Sequence, residues 1–241
     1  MILMVFLSTA FGAEVEQELV WGVTVGGKPA GEHTLKIKYI PSADGSVKRI
    51  LESYAEYVGA TAPPIAMKRR VTGHAGLEPA TLHSVLNDNG EAREIQAAID
   101  EGNWRITLTE EGKSTEYELA FSRVDMSDLD LFDPASAVPL GRYHLAKILS
   151  VETGDVMEGE VVRMGNSELD IGGVKVLVDE YIWSAPSVKW SLFYTPDGFL
   201  VRYERSKEGV DIIGQLLKPP PQGLDEAPVL RGGAKIDEVD L

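Results

Sequence analysis

Residues 104–121 read WRITLTEEGKSTEYELAF. Trp104, Ile106 and Leu108 fall on one side of an extended chain while Arg105, Thr107 and Thr109 fall on the other. After Glu111-Gly112 the same alternation resumes, with Tyr117, Leu119 and Phe121 against Glu116 and Glu118. A period of two places successive side chains on opposite faces of a β-strand. Two such runs about a glycine bend predict a hairpin with one dry face.

The pattern spreads outward in both directions. Gly102-Asn103 turns the chain back into Arg93 to Ile99, and Asn89-Gly90 turns that run into Thr81 to Leu86, with Ala66 to Thr72 before it. Nearer the start, Leu35, Ile37 and Tyr39 alternate with Thr34, Lys36 and Lys38, and pair with Leu19 to Val25 through the glycine-rich stretch 26–31. Asp44-Gly45 bends the chain again into Val47 to Tyr57. Beyond residue 150 strands are predicted at Val156 to Met164, Glu168 to Ile171 after a Gly165-Asn166 turn, Val174 to Trp183, Val188 to Tyr194, Phe199 to Arg205 and Val210 to Leu216. Between the two runs, 122–141 reads as a long connection with one helical turn near 127–132. Tyr143 to Val151 fits either helix or strand. The expected architecture is all-β, a mainly antiparallel meander curved into a half-barrel or sandwich over residues 14–217. It is divisible into two sub-sheets near 122–141, and a Pro- and acid-rich tail follows at 218–241.

Composition narrows function. The 241 residues carry 23 Lys and Arg against 38 Asp and Glu, a formal charge of −15, which argues against nucleic acid and anionic lipid surfaces. The short basic cluster Lys68, Arg69 and Arg70 reads as a solvated strand or loop edge. Absence of cysteine removes disulfides, thiolate metal sites, cysteine nucleophiles and a lipidated N-terminal cysteine. Residues 1–13 hold an apolar run, Ile2 to Leu7, then small residues, as in a secretory signal cleaved near Gly12-Ala13, although no basic residue precedes the run. A periplasmic or secreted location without an integral membrane span is expected.

Three segments together, residues 27–33 (GKPAGEH), Glu152-Thr153-Gly154 and residues 193–201 (FYTPDGFLV), resemble exported bacterial all-β domains of unknown function. In those families a G-K-x-x-G-x-H hairpin opens the domain and a W-Y-x-x-x-G-x-L-V hairpin closes it. Here Phe193 stands where tryptophan is usual. The resemblance covers about residues 16 to 216 and implies an antiparallel exported fold, with no catalytic residues to carry over. In plan the chain is also distantly similar to the half-barrel carriers of lipids and lipoproteins, a fold analogy that does not itself set function.

No enzymatic constellation emerges, and no catalytic residue, metal site or cofactor is assigned. His33, His74, His83 and His144 lack metal-ligand spacing. His33 reads as a turn-adjacent side chain bonded to a backbone carbonyl. The acids Asp125, Asp128, Asp130 and Asp133 lack the glycine and glutamate of an EF-hand, and capping by Ser127 or Asp128 with ordinary solvation accounts for them. No Gly-x-Ser-x-Gly occurs, Ser136 and Ser191 have no local histidine, and the glycines of 22–31 lie between strands rather than before a helix. The aromatics Trp21, Tyr39, Trp104, Tyr117, Trp183, Trp190 and Tyr194 lie in strands. On a curled sheet they would line an apolar ligand pocket or else fill the core. The leading expectation is a non-enzymatic carrier of lipid or another apolar or amphipathic ligand. The alternative is an envelope interaction module using a sheet edge, with an unrecognised hydrolase third. A continuous apolar cavity would favour the carrier, a filled core with a long bare edge the interaction module, and clustered carboxylates or histidines in a cleft the enzyme.

Overall fold

A computed structural model describes residues 15–41, 47–58, 64–74, 79–88, 91–134, 140, 143–207 and 209–220. The expected signal segment, the Asp44-Gly45 and Asn89-Gly90 turns and all of the tail beyond Pro220 lie outside them, as do the side chains of Lys68, Arg69 and Arg70.

The chain folds as one 15-stranded, curved and unclosed sheet. In chain order its strands are β1 (Val15–Val25), β2 (Lys28–Pro41), β3 (Val47–Val58), β4 (Pro64–His74), β5 (Pro79–Asp88), β6 (Glu91–Asp100), β7 (Asn103–Glu110), β8 (Lys113–Ala120), β9 (Met126–Ser127), β10 (Leu145–Leu149), β11 (Val156–Ile171), β12 (Val174–Ala185), β13 (Val188–Tyr194), β14 (Leu200–Lys207) and β15 (Val210–Leu216). Neighbours along the sheet run β8 to β1, then β15 to β9. Pairing is antiparallel throughout except for the short parallel contact of β9 with β10. The first and last long strands meet in the middle, with Trp21 opposite Leu216 and Val25 opposite Ile212. Apart from the parallel β9–β10 contact, each neighbouring pair follows directly in sequence except this one, so β1–β15 is the long-range closure that joins the two halves.

Alternation decides which face is dry. Leu19, Trp21, Val23 and Val25 of β1 are buried, as are His33, Leu35, Ile37 and Tyr39 of β2 and Trp104 and Ile106 of β7. Glu111 and Gly112, both at positive φ, form the two-residue turn whose twist matches the flanking strands. Two local expectations are corrected and one open choice is settled. The first hairpin turns on Gly26-Gly27 alone, and Lys28 to Gly31 already belongs to β2, with Pro29 accommodated beside a bulge at Val23/Thr24. Gly165-Asn166 is a bulge within one long β11, not a turn, because Gly165 takes φ 120° while the ladder to β12 continues on both sides. Tyr143 to Val151 resolves as strand β10 followed by a tight loop.

The connection after β8 does not run over the outside. Val124, Met126, Leu129, Leu131 and Phe132 are all buried in the same core as the strand aromatics. The curled sheet therefore closes around a segment of its own chain.

Candidate functional site

Phe132, in a single 3-10 turn (Asp130–Phe132), is the hub of the interior. Its ring lies 4.8 Å from His33, 5.2 Å from Tyr203, 5.5 Å from Trp21 and 6.3 Å from Trp190, edge-on in each case. Such edge contacts between large rings are favourable beyond the area they bury. They draw β1, β2, β13 and β14 onto one side chain of the crossover segment.

Polar tips of the strand aromatics point the same way. Tyr39 donates from its hydroxyl to Asp133 Oδ1 at 3.2 Å, Tyr194 to the Leu131 carbonyl at 2.8 Å, Tyr117 to the Gly154 carbonyl at 2.8 Å, and Trp183 Nε1 to the Ala146 carbonyl at 3.2 Å. Trp21 Nε1 instead donates to the Leu200 carbonyl at 3.1 Å. Trp104 is 1% exposed and its Nε1 has no partner. The seven aromatics are thus gathered around the interior, and four of them bind Asp133, Leu131, Gly154 and Ala146 of the chain itself.

Charge locks the segment in place. Arg49 of β3 meets Asp130 at 2.9 Å and Asp133 at 2.7 Å, all three side chains buried. Burial alone would lower the Arg49 pKa, but the two carboxylates outweigh it and hold it above its ordinary value. Arg205 of β14 forms a two-pronged pair with Glu152 at 2.6 and 2.9 Å and lies over the Trp190 ring. Asp128 accepts from the Val151 amide and Asp125 from the Lys147 amide. Ser127 donates its amide and hydroxyl to Asp130. The expected capping by Ser127 is present, since its hydroxyl accepts from the Asp130 amide at 3.3 Å at the start of the 3-10 turn. The expected solvation is replaced by buried ion pairing, with Asp128, Asp130 and Asp133 all inside. No group of three or more metal-ligating side chains occurs among the described residues.

The segment Glu152-Thr153-Gly154 acts as a clasp across the seam of the sheet. Glu152 binds Arg205 from the C-terminal half, while its carbonyl accepts from Arg93 of β6 at 3.1 Å. Gly154 sits directly beneath Tyr117 of β8, where a β-carbon would lie 2.5 Å from the tyrosine hydroxyl. His33 also departs from its expected role. It is 2% exposed, with Nε2 at 2.8 Å from the Ser53 hydroxyl and Nδ1 at 3.3 Å from that of Tyr203. This buried group pairs with side chains rather than a turn carbonyl, because β2 begins earlier than the glycines suggest.

Two of the concavities among the described residues border β8 and the β1–β15 seam. One, about 460 Å³, is framed by Leu86, Ala92, Arg93, Leu108, Glu110 and Thr115 on the inner face of β5 to β8. The other, about 610 Å³, lies where β15 stops beside the first half of β1 and is walled by Leu19, Val20, Leu216, Leu217 and Pro219. There the ladder ends with the Leu217 amide bonded to Val20, and Pro219 has no amide hydrogen to continue it.

Beyond β8 no described strand continues the sheet. In a two-residue hairpin the closing pair, here Glu110 and Lys113, exchanges both backbone bonds. Ser114, Glu116 and Glu118 consequently turn their N–H and C=O groups away from β7. The register between β7 and β8 runs unbroken from Lys113 to Ala120, without a bulge or proline to spoil the edge. The other end of the sheet is the two-residue β9, too short to offer one.

No protein-family profile and no curated protein matches the chain. Among solved structures it is similar to a β-barrel-like protein of the domain of unknown function DUF1849 from Brucella abortus, at TM-score 0.52 and 11% identity over 85% of this chain and 96% of that one. A Bacteroides fragilis protein described as exported, with a YmcC-like fold, matches over 86% and 95% at 7% identity, but at a TM-score of 0.26. The first likeness establishes a shared all-β fold; the second superposes too loosely to carry an argument.

Proposed function

We propose that the protein is an exported module of the bacterial envelope that acts by binding, not by covalent chemistry, and that it takes an extended segment of a partner protein along the open edge of β8. The observation that supports this reading is the filled interior beside an uninterrupted bare edge. Four of the aromatics that would line a ligand cavity hold Leu131, Asp133, Ala146 and Gly154 instead, whereas among the described residues nothing pairs with the outward donors and acceptors of β8. Strand addition satisfies such groups directly. A carrier of an apolar ligand is the second reading, favoured by the apolar slot beside Leu19, Leu216 and Leu217.

Native mass spectrometry of protein purified from its host distinguishes the two. A polypeptide partner is expected on the wild type and lost from Glu116→Pro, which removes an outward amide but no bond to β7. Extractable lipid on an otherwise lone chain, unaffected by that substitution, would transfer the reading to the carrier. Amino-terminal sequencing should begin near Ala13 or Glu14; uncleaved cytoplasmic protein would remove the export.

A further inference from the structure

The two faces of β8 differ in a way that selects the segment it receives. On the solvent face Glu116 and Glu118 are exposed, and the neighbouring cation, Arg105, is already engaged by Asp100 at 2.8 Å and Glu118 at 3.1 Å. The face is acidic on a chain of net charge −15. On the inner face Tyr117 and Leu119 are half-buried, and Thr115 borders a concavity lined by Leu86, Ala92 and Leu108 together with Arg93, Glu110, Glu111 and Lys113.

A strand laid against this edge must place its alternate side chains opposite those of β8. A second copy of the chain is a poor occupant, since edge-to-edge pairing about a two-fold axis sets the Glu116 and Glu118 carboxylates of both copies against each other. A lipid is a poor one too, having no series of donors and acceptors at strand spacing to meet Ser114, Glu116 and Glu118. The eight residues of β8, about 26 Å of strand, call for another polypeptide.

Resting on the edge-docking reading above, we infer that the received segment belongs to another protein and alternates basic side chains on its solvent side with apolar ones on its inner side. The basic groups answer Glu116 and Glu118, while the apolar ones continue the inner row of Tyr117 and Leu119, which packs against the core, and the one nearest Thr115 lies on the Leu86 and Leu108 side of the concavity.

The test uses the full chain and three blocked heptapeptides: Lys and Val in strict alternation, Glu and Val in strict alternation, and a scrambled peptide of the same Lys and Val content. Amide exchange and methyl shifts are read by NMR at low salt. The alternating Lys peptide is expected to slow exchange at Ser114, Glu116 and Glu118, to shift the Leu86 and Leu108 methyls, and to bind about tenfold tighter than the Glu peptide. The preference should reverse in the Glu116→Lys, Glu118→Lys double variant, whose melting temperature confirms that it folds. Equal protection of the β8 edge by both charged peptides, or by the scrambled one, would overturn the partner chemistry and leave edge docking standing. If no peptide protects the edge, or if the Lys peptide binds Glu116→Pro unchanged, both ideas fall.

Discussion

Arg49 lies 2% exposed between two buried aspartates, an arrangement that is costly to assemble and more costly to break. Replacing it with Met strands Asp130 and Asp133 without a counter-charge, and a loss of about 3–5 kcal/mol is expected in urea denaturation. Adding Asp130→Asn and Asp133→Asn to the same chain should recover much of that loss; if it does not, the three charges are not acting as one unit. Tyr39 and Tyr194 allow a second check. Burial, then the Asp133 charge, raises the pKa of Tyr39 well above its ordinary 10.0, and burial does the same for Tyr194. A group whose folded pKa is raised contributes stability that is complete below its unfolded pKa and disappears as pH rises beyond it. Stability should therefore hold up to about pH 10 and decline above it. Ultraviolet titration should find these two phenols ionising only as the fold opens. Early ionisation of both in the native protein would mean that the interior is wet.

At the scale of single strands, side-chain size across the ladder matters as much as alternation. Gly159 of β11 faces the Trp183 indole, where a β-carbon would come within 2.5 Å of Nε1. Gly214 of β15 faces the Tyr203 ring, where the same addition would come within 2.2 Å. Alanine at Gly159 must displace a ring bonded to Ala146 of β10, and alanine at Gly214 one packed on Phe132, and a cost of about 1–3 kcal/mol is expected from thermal or chemical denaturation. Wild-type stability in Gly214→Ala would place the Tyr203 ring elsewhere. The edge strand makes the opposite prediction. Proline at Glu116 should leave the melting temperature almost unchanged, whereas proline at Thr115, whose amide bonds β7, should destabilise the β7–β8 hairpin. Equal damage from both would reverse the assigned hydrogen-bonding parity.

Across the whole molecule, the β1–β15 ladder and the Arg93–Glu152–Arg205 clasp tie the N-terminal and C-terminal strands into one cooperative unit. Fluorescence of the buried tryptophans and far-ultraviolet circular dichroism should consequently follow the same unfolding curve. Two separated transitions would mean that the halves are independent.

Alternation, a local property set by the two-residue repeat of an extended chain, was enough to place nearly every long strand, including both arms around Glu111-Gly112. The choice between a turn and a bulge at Gly165 needed the partner strand, because the same glycine conformation serves either until β12 supplies its ladder. Sequence also located the aromatic set on strands, but could not say whether those rings enclosed a hollow or a filler. That depended on where residues 124–133 go, and their acids read as a solvated loop until Arg49, remote in the chain, stood beside them. Charge pairing and ring contacts between distant segments leave no periodic trace in a sequence. The strands could therefore be read one by one, while the occupied interior and the open edge exist only once the sheet has curled.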